Sequence, residues 1–205
     1  MVVFDVDSTL IAHEAIEEIA EVLGKRNLIA QITDAAMRGE IDFEQSLRQR
    51  VKLLEGVSEE DLLQISERFV INSGASELIE HIHSIGGKAC AVSGGFGNLL
   101  QPIASKLLLD DYLANTLELN QGVLTGGLVP PIVDANAKQK ALLDWSEKYD
   151  IPIEKTVAIG DGANDLKMME SAAVSIGFMP KPIVSQACDH VLETPDFRPV
   201  IELLP

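Results

Sequence analysis

The sequence predicts an α/β fold. A doubly wound parallel sheet forms the core, a small helical bundle is inserted after the first strand as a cap, and a short β-hairpin forms a flap. A β-rich apolar run at residues 2–6 opens the chain, and helical periodicity follows over residues 12–69. From residue 75 onward strands and helices alternate, which is typical of a parallel sheet covered by helices on both faces. The segment Asn120-Gln121-Gly122 separates two alternating runs and predicts the hairpin.

The cap is expected to contain four helices. The first presents one apolar face and ends at Gly24, where a left-handed residue can close the last turn. That face consists of Ile16, Ile19, Ala20 and Leu23. The other three helices are predicted near residues 28–38, 43–54 and 59–69. Ser58, followed three residues later by Asp61, resembles a capping box in which Asp replaces the usual Glu or Gln.

The core is expected to be Rossmann-like, with strands and helices in alternation. Strands are predicted at 2–6, 88–93, 155–160 and 173–178, with the hairpin at 115–119 and 123–128. Helices are predicted at 75–84, 98–108, 136–149 and 163–171, and a last helix up to 204; further short elements are expected at 183–187 and 190–192. These assignments divide the chain into a core of residues 1–11 and 73–205 and a cap of residues 12–72.

Composition and charge limit the classes of partner. The chain of 205 residues is 46% hydrophobic and 23% charged, and its formal net charge is −16. An acidic protein lacks the basic face that a nucleic-acid backbone requires, so we expect no nucleic-acid partner. No apolar run has the length of a membrane span or a signal segment, so we expect no membrane partner and a cytoplasmic location. Because Asp5 is close to the first residue, no regulatory domain is expected ahead of the core.

Polar residues and glycines cluster where the predicted parallel strands end. Ligands of open α/β sheets bind beyond the carboxyl ends of the strands, so these residues are expected to converge in one crevice. They are Asp5 and Asp7, Ser93, Gly94 and Gly95, the series Asp161, Asn164 and Asp165, and Lys138 at the start of a helix. Several carboxylates packed together repel one another, and a hard divalent cation with oxygen ligands relieves that repulsion. The pattern therefore predicts a Mg²⁺ site.

A metal held by carboxylates, with a lysine beside it, favours phosphate chemistry. Phosphoryl transfer depends mainly on positioning and charge neutralisation. The hydroxyl of Ser93 and nearby backbone N–H groups can hold phosphate oxygens. Asp5 can attack phosphorus to form an acyl phosphate, and Asp7 can serve as general acid and then as general base.

Four segments resemble the motifs of the haloacid dehalogenase superfamily: DVDST (5–9), SGG (93–95), Lys138 and GDGAND (160–165). The run AAMRGEIDFEQSLRQRV (35–51) resembles the cap of its phosphoserine phosphatase branch. The resemblance implies hydrolysis of O-phospho-L-serine, the last step of serine biosynthesis. The protein is expected to be a monomer or homodimer. It makes Asp5 the nucleophile and Asp7 the acid and base.

The resemblance also implies ligands for metal and substrate. Asp5, Asp161 and the backbone carbonyl of Asp7 hold Mg²⁺, with Asp165 supporting them. Substrate contacts are expected from Ser93, Gly94, Lys138 and Asn164 in the core and from Glu14, Met37, Phe43 and Arg50 in the cap. Glu14 is expected to meet the substrate ammonium and Arg50 its carboxylate, a pairing that arginine geometry favours. Met37 and Phe43 are expected to form an apolar wall that excludes water.

Three alternatives remain open from the sequence. The substrate can be another phosphomonoester, or a hydroxyl acceptor such as homoserine can replace water. A receiver-type signalling domain also combines Mg²⁺, a phosphorylated Asp and a Lys, although a large cap next to the nucleophile suits turnover better than a lasting mark. The third alternative is a catalytically inactive binding relative. All the expected catalytic residues are present, which argues against it.

Overall fold

A seven-stranded sheet lies at the centre of the protein. The structure is a computed structural model that describes residues 1–38 and 40–204, without the side chain of Met37. The strands are β1 Val2–Phe4, β2 Ala89–Phe96, β3 Asp111–Asn120, β4 Val123–Val129, β5 Val157–Gly160, β6 Val174–Phe178 and β7 His190–Leu192. Their order in the sheet is β4-β3-β2-β1-β5-β6-β7, and every neighbouring pair is parallel except β3 and β4.

Helices connect the strands. They are α1 Ala15–Val22, α2 Arg26–Met37, α3 Phe43–Lys52, α4 Glu59–Glu67, α5 Ala75–Ser84, α6 Gly97–Leu107, α7 Ala135–Lys148, α8 Leu166–Ser171 and α9 Pro182–Ser185. Short 3₁₀ turns cover Ile153–Lys155, Ala163–Asp165 and Arg198–Leu203. Among residues 1–38 and 40–204, no helix has the length and apolar character needed to span a bilayer.

The two faces of the sheet bury two separate apolar cores. Val2 and Phe4 of β1 point into one core, and Val3 points into the other, together with Cys90 and Ala158 of the flanking strands. This alternation follows from the two-residue period of a strand, and a sheet buried on both faces needs apolar residues at every position. The predicted α/β class with a doubly wound sheet is confirmed.

Strand order creates a crevice above β1. The chain builds β2 and β3 on one side of β1 and later β5, β6 and β7 on the other. Connections that leave a central strand in opposite directions open a gap at the carboxyl ends of the strands, and ligands of such folds bind there. The first strand ends at Phe4, earlier than predicted, so Asp5 already belongs to the loop above the sheet.

Helices α1 to α4 all lie between β1 and α5 in the chain, where the cap was predicted. The two segments that enter and leave this helical region run antiparallel and are hydrogen-bonded to each other. Ala12 N donates to Val70 O, and Asn72 N donates to Leu10 O, both at 2.9 Å. Ser58 and Asp61 form the capping box that the sequence predicted at the start of α4. The domain boundaries at 11–12 and 72–73 stay a prediction.

The hairpin is continuous with the main sheet and also contacts the helical region. Its strand β3 begins earlier than predicted and pairs with β2, while β4 forms the edge of the sheet. The loop after α3 pairs with β4, since Leu124 N donates to Val57 O at 2.8 Å and Gly56 N donates to Leu124 O at 3.0 Å. Gly126 has φ of +77°, and a Cβ there would lie 3.1 Å from Lys52 Cδ, so glycine permits this approach to α3.

Candidate active site

The loop after β1 is held above the sheet by bonds to neighbouring elements. Asp5 N donates to Ile159 O of β5 at 2.8 Å, which continues the strand pairing by one residue. Asp7 Oδ1 accepts a bond from Ala15 N at 3.0 Å, so the carboxylate also fixes the start of α1. The two aspartates are therefore anchored to different elements, Asp5 to β5 and Asp7 to the start of α1.

A buried lysine links two of the carboxylates. Lys138 Nζ donates to Asp5 Oδ1 at 2.6 Å and to Asp165 Oδ1 at 2.7 Å. Burial by itself would lower the pKa of Lys138, but the charges of Asp165 and Asp5 outweigh it and raise that pKa. Burial and the charge of Asp165 raise the pKa of Asp5, and Lys138 opposes them. The lysine therefore stays protonated and offsets part of the acidic charge.

Three carboxylates lie close enough to share one cation. Each of Asp5, Asp161 and Asp165 has an oxygen within 4.8 Å of the others, and all three residues are buried. Burial raises the pKa of Asp161, and the ammonium of Lys181 partly counters that effect. An all-carboxylate donor set whose negative charge is incompletely compensated fits a hard divalent ion such as Mg²⁺.

Asp165 is the least available of the three acids. Its Oδ1 accepts a bond from Lys138, and its Oδ2 accepts a bond from Gly162 N at 3.0 Å. A Cβ on Gly160 would lie 2.5 Å from Asp165 Oδ2, so the glycine leaves room for this side chain. Both oxygens are engaged within the protein, which agrees with the supporting role that the resemblance implies. Its role and that of the Asp7 backbone carbonyl stay predictions.

Asp7 has the electrostatic character of a proton carrier. Burial, followed by the charge of Glu14, raises the pKa of Asp7 to about 7, while the Ala15 N–H and Ser93 oppose the rise. Ser93 Oγ donates to Asp7 Oδ2 at 3.3 Å and accepts a bond from Gly95 N at 2.8 Å. A general acid and base is most effective when its pKa lies near the working pH.

A cavity of about 360 Å³ opens between the strand ends and the helical region. Its wall includes Asp5, Asp7, Gly94, Gly95, Asp161 and Asn164 from the core and Glu14, Thr33, Phe43, Ser46, Leu47 and Arg50 from the helices. The structure thus brings most of the predicted site residues to one space. Ser93 and Lys138 lie behind this wall, each only 1% exposed. The predicted contact from Met37 falls on a side chain outside the described part of the chain.

The helical side of the cavity carries one acid and one base. Burial raises the pKa of Glu14 even though Ser8 Oγ donates to its Oε1 at 2.6 Å. Burial lowers the pKa of Arg50, and the charges of Glu14 and Asp7 oppose that change. Arg50 Nε donates to Ser46 O at 3.3 Å, one turn back on α3. The guanidinium group therefore faces a cavity that can accept a carboxylate.

Phe43 stands at the edge of the cavity. A Cβ on Gly94 would lie 3.6 Å from Phe43 Cζ, so the ring packs over the glycine at the end of β2. Phe43 remains 37% exposed, which places it at the boundary between cavity and solvent. Its predicted part in excluding water stays a prediction, as do the substrate contacts of Gly94 and Asn164.

Sequence reasoning missed Lys181, which also lines the cavity. Its Nζ lies 3.0 Å from Asp161 Oδ2, and its backbone N donates to Asp161 O at 2.9 Å. The available signal was position, since Pro180-Lys181-Pro182 follows β6 as Asp161 follows β5. A lysine between two prolines lacks the acids and hydroxyls by which the sequence marks the other strand ends as site elements.

The similarity to known proteins extends over the whole chain. Residues 2–170 match the haloacid dehalogenase-like hydrolase family. The chain is 42% identical over 204 residues to phosphoserine phosphatase SerB2 of Mycobacterium tuberculosis, covering 100% of this chain and 50% of that protein. It is also 42% identical over 204 residues to the phosphoserine phosphatase of Idiomarina loihiensis, covering 100% and 93%. The chain thus spans half the length of the first relative and most of the second.

Solved structures give the same result. A structure described as a phospho-aspartyl intermediate analogue of phosphoserine phosphatase aligns with a TM-score of 0.93 and 38% identity, covering 100% of this chain and 98% of the other. A substrate-bound phosphoserine phosphatase complex aligns with a TM-score of 0.92 and 37% identity, covering 100% and 97%.

A doubly wound sheet with a carboxylate cluster at its strand ends, together with these matches, shows that the chain belongs to the haloacid dehalogenase-like hydrolase family. Within that family, the relatives just described are phosphoserine phosphatases. The resemblance inferred from the motifs is confirmed. Because the family is one of hydrolases, the Asp and Lys residues that a signalling domain would share are interpreted as those of an enzyme.

Proposed function

We propose that this protein is a Mg²⁺-dependent phosphatase that hydrolyses O-phospho-L-serine to L-serine and phosphate. One observation carries the proposal: a single cavity is lined by the Asp5, Asp7 and Asp161 carboxylates of the core and by Glu14 and Arg50 of the helical region. The substrate has a phosphate at one end and an ammonium and a carboxylate at the other. The cavity offers groups of the kinds that such a substrate needs: carboxylates that can hold a cation for the phosphate, an acid for the ammonium and a guanidinium for the carboxylate.

Asp5 is the proposed nucleophile. Its carboxylate lies on the cavity wall, and the bond to Lys138 holds its Oδ1 in place. Attack on phosphorus forms an aspartyl phosphate and expels the serine oxygen. The ion held by Asp5 and Asp161 supplies charge neutralisation for the phosphoryl group when it is bound.

Asp7 is the proposed proton carrier for both halves of the reaction. With its pKa raised to about 7, an appreciable fraction carries a proton at neutral pH and can protonate the departing serine oxygen. The resulting carboxylate then takes a proton from the water that attacks the aspartyl phosphate. Ser93, which donates to Asp7 Oδ2, keeps this side chain turned toward the end of β2.

Glu14 and Arg50 are proposed to select the amino-acid end. Glu14 receives the substrate ammonium, which competes with the Ser8 hydroxyl for the Glu14 carboxylate. Arg50 has no carboxylate within ion-pair distance among the described residues, so its guanidinium is available to the substrate carboxylate. Phe43 limits access of water at the mouth of the cavity.

The direct test is phosphate release from L-phosphoserine, with and without Mg²⁺, against a panel of phosphorylated sugars, nucleotides and amino acids. We expect phosphoserine to be the best substrate and a chelator to abolish turnover. Asp5→Asn is expected to abolish steady-state hydrolysis, because the amide cannot form the acyl phosphate. Clear residual turnover by that variant contradicts the nucleophile assignment, and equal rates across the panel contradict the substrate assignment.

Transfer to another hydroxyl acceptor is a distinguishable outcome of the same assay. Adding homoserine to a reaction with labelled phosphoserine shows whether the phosphoryl group passes to water or to the alcohol. We expect inorganic phosphate as the product. Phosphohomoserine as the main product identifies a phosphotransferase.

A further inference from the structure

Lys181 occupies the same edge of the sheet as the acidic site. It follows β6 in the loop that leads to α9, and β6 is the neighbour of β5. Its backbone N–H is bonded to Asp161 O, and its ammonium lies 3.0 Å from Asp161 Oδ2. The backbone of Lys181 is therefore bonded to the backbone of Asp161, and its side chain to the carboxylate of the same residue.

The other lysine of the site has little capacity left for a substrate. Lys138 gives two of its three N–H bonds to Asp5 and Asp165 and lies behind the cavity wall. Among the described residues, the basic side chains on the wall itself are Arg50 and Lys181. Arg50 belongs to the helical side, so Lys181 is the cation on the side of the strand ends.

The position of Lys181 allows it to change partner. Its side chain is 54% exposed, in contrast to the buried Lys138, so the ammonium can turn without breaking packing. A Cβ built on Gly162 would lie 3.5 Å from Lys181 Nζ, so the ammonium passes over the turn that follows β5. A divalent ion held by Asp161 would repel the Lys181 ammonium from that carboxylate.

We propose that Lys181 is a phosphate-binding residue of this site. In the structure its ammonium neutralises Asp161. With the site loaded, the ammonium turns into the cavity and donates to a phosphoryl oxygen, first of the substrate and then of the released phosphate. The inference rests on the proposed function only in requiring that the site binds a phosphoryl group, whatever alcohol carries it.

The test measures binding, independently of turnover. Isothermal calorimetry of the Mg²⁺-loaded protein with inorganic phosphate gives one dissociation constant, and titration of the metal-free protein with Mg²⁺ gives another. The variants are Lys181→Met and the conservative Lys181→Arg. Lys167→Met is the matched control, because Lys167 is an exposed lysine on α8 whose ammonium bonds Asn136 Oδ1 outside the cavity.

We expect Lys181→Met to bind phosphate about 10-fold more weakly, as a lost charge-assisted contact at a half-exposed group predicts. Its affinity for Mg²⁺ should be unchanged or higher, because a competing cation has been removed. Lys181→Arg should recover part of the phosphate affinity, and Lys167→Met should match the parent in both titrations.

Two results overturn the proposal. An unchanged phosphate affinity in Lys181→Met shows that the ammonium does not reach the phosphate. A loss of Mg²⁺ affinity that parallels the loss of phosphate affinity shows that Lys181 only positions Asp161. Far-ultraviolet circular dichroism of each variant confirms folding before titration.

Kinetics separate this proposal from the proposed function. Lys181→Met should raise KM by a similar factor for phosphoserine and for phosphoethanolamine, because both carry the same phosphate. If phosphoserine proves not to be the substrate, the phosphate titration still decides the role of Lys181. If phosphoserine is the substrate and KM rises for it alone, Lys181 reads the amino-acid end and the proposal is wrong.

Discussion

The ammonium of Lys138 lies 2.6 Å from Oδ1 of Asp5, and both side chains are almost completely buried. A buried ion pair gains Coulomb energy at the expense of two desolvation penalties, so its net contribution to stability is small. Removing only one partner strongly destabilises the folded state, because the remaining charge is left unpaired in a medium of low polarity. The pair therefore makes stability and catalysis depend on the same lysine.

Lys138→Met is expected to destabilise the metal-free protein by about 3–5 kcal/mol, since it leaves the buried carboxylates of Asp5 and Asp165 without their counter-charge. Urea unfolding in the presence of a chelator measures this change. Adding Asp165→Asn to the variant should restore part of the loss, because one stranded charge is then removed.

Lys140→Met is the matched control for that experiment. Lys140 is on the same helix, but its ion pair with Asp144 is exposed to solvent, and such pairs contribute little to stability. Equal losses in the two variants would show that the buried pair is not what makes Lys138 important for the fold.

Gly95→Ala is expected to lower kcat by about 100-fold, because a misplacement of about 1 Å in a catalytic group has an effect of this size. A Cβ at this position would lie 2.3 Å from Asp7 Oδ2, so the proton carrier must move. Steady-state rates with phosphoserine provide the measurement. Gly97→Ala is the control, since a Cβ there comes no closer than 3.7 Å to Asn115 O, and normal rates are expected.

The pKa of Asp7 predicts how stability depends on pH in the metal-free protein. In the unfolded chain an Asp releases its proton near pH 4, whereas folded Asp7 keeps it until about pH 7. Between these values the folded state binds more protons than the unfolded state, so the free energy of unfolding falls as pH rises and levels off above 7. One such proton corresponds to a slope of up to about 1.4 kcal/mol per pH unit.

Asp7→Asn removes this titration. The free energy of unfolding of the variant should therefore fall less steeply with pH, by the contribution of about one proton. Urea unfolding at several pH values from 5 to 8, with a chelator present, tests the difference between parent and variant. The exposed Asp144→Asn should leave the slope unchanged. Parallel curves for the parent and Asp7→Asn would mean that Asp7 ionises at its ordinary pKa.

The core side of the site could be inferred from the sequence because one topological rule applies to it. Asp5 and Asp161 directly follow parallel strands, Ser93 lies near the end of another, and parallel strands end at a common edge. Lys181 obeys the same rule, but it is a lysine between two prolines and not an acid or a hydroxyl residue. The exact ends of the strands and helices are harder to predict from the sequence. At the end of β1, for example, bonds from side chains and from the loop backbone replace strand pairing.

The helical side could not be inferred from physics alone. Glu14 and Arg50 lie on different elements, and their approach depends on how α1 and α3 pack over the strand ends. Charged helix residues are usually solvated, and only the family resemblance separated these two from their neighbours. The place of the hairpin was also hidden, because the pairing of β4 with the loop after α3 joins residues far apart in the chain.

Arg50 and its neighbour Arg48 provide the sharpest test of substrate selection. Arg50 lines the cavity, whereas Arg48 is an exposed residue of the same helix, paired with Glu44. Arg50→Ala is expected to raise KM for phosphoserine by about 10- to 100-fold, because a charge-assisted contact to the substrate carboxylate is lost. Phosphoethanolamine lacks that carboxylate, so its kcat/KM should change little and the selectivity between the two substrates should fall.

Arg48→Ala should leave both substrates unaffected, which separates a loss of charge near α3 from the loss of one contact. Arg50→Lys should recover only part of the affinity, because an ammonium cannot form the paired bonds of a guanidinium to a carboxylate. If Arg50→Ala weakens both substrates equally, Arg50 acts on the phosphate or on the shape of the cavity. Selection of the amino-acid end must then depend on Glu14 or on another residue of the wall.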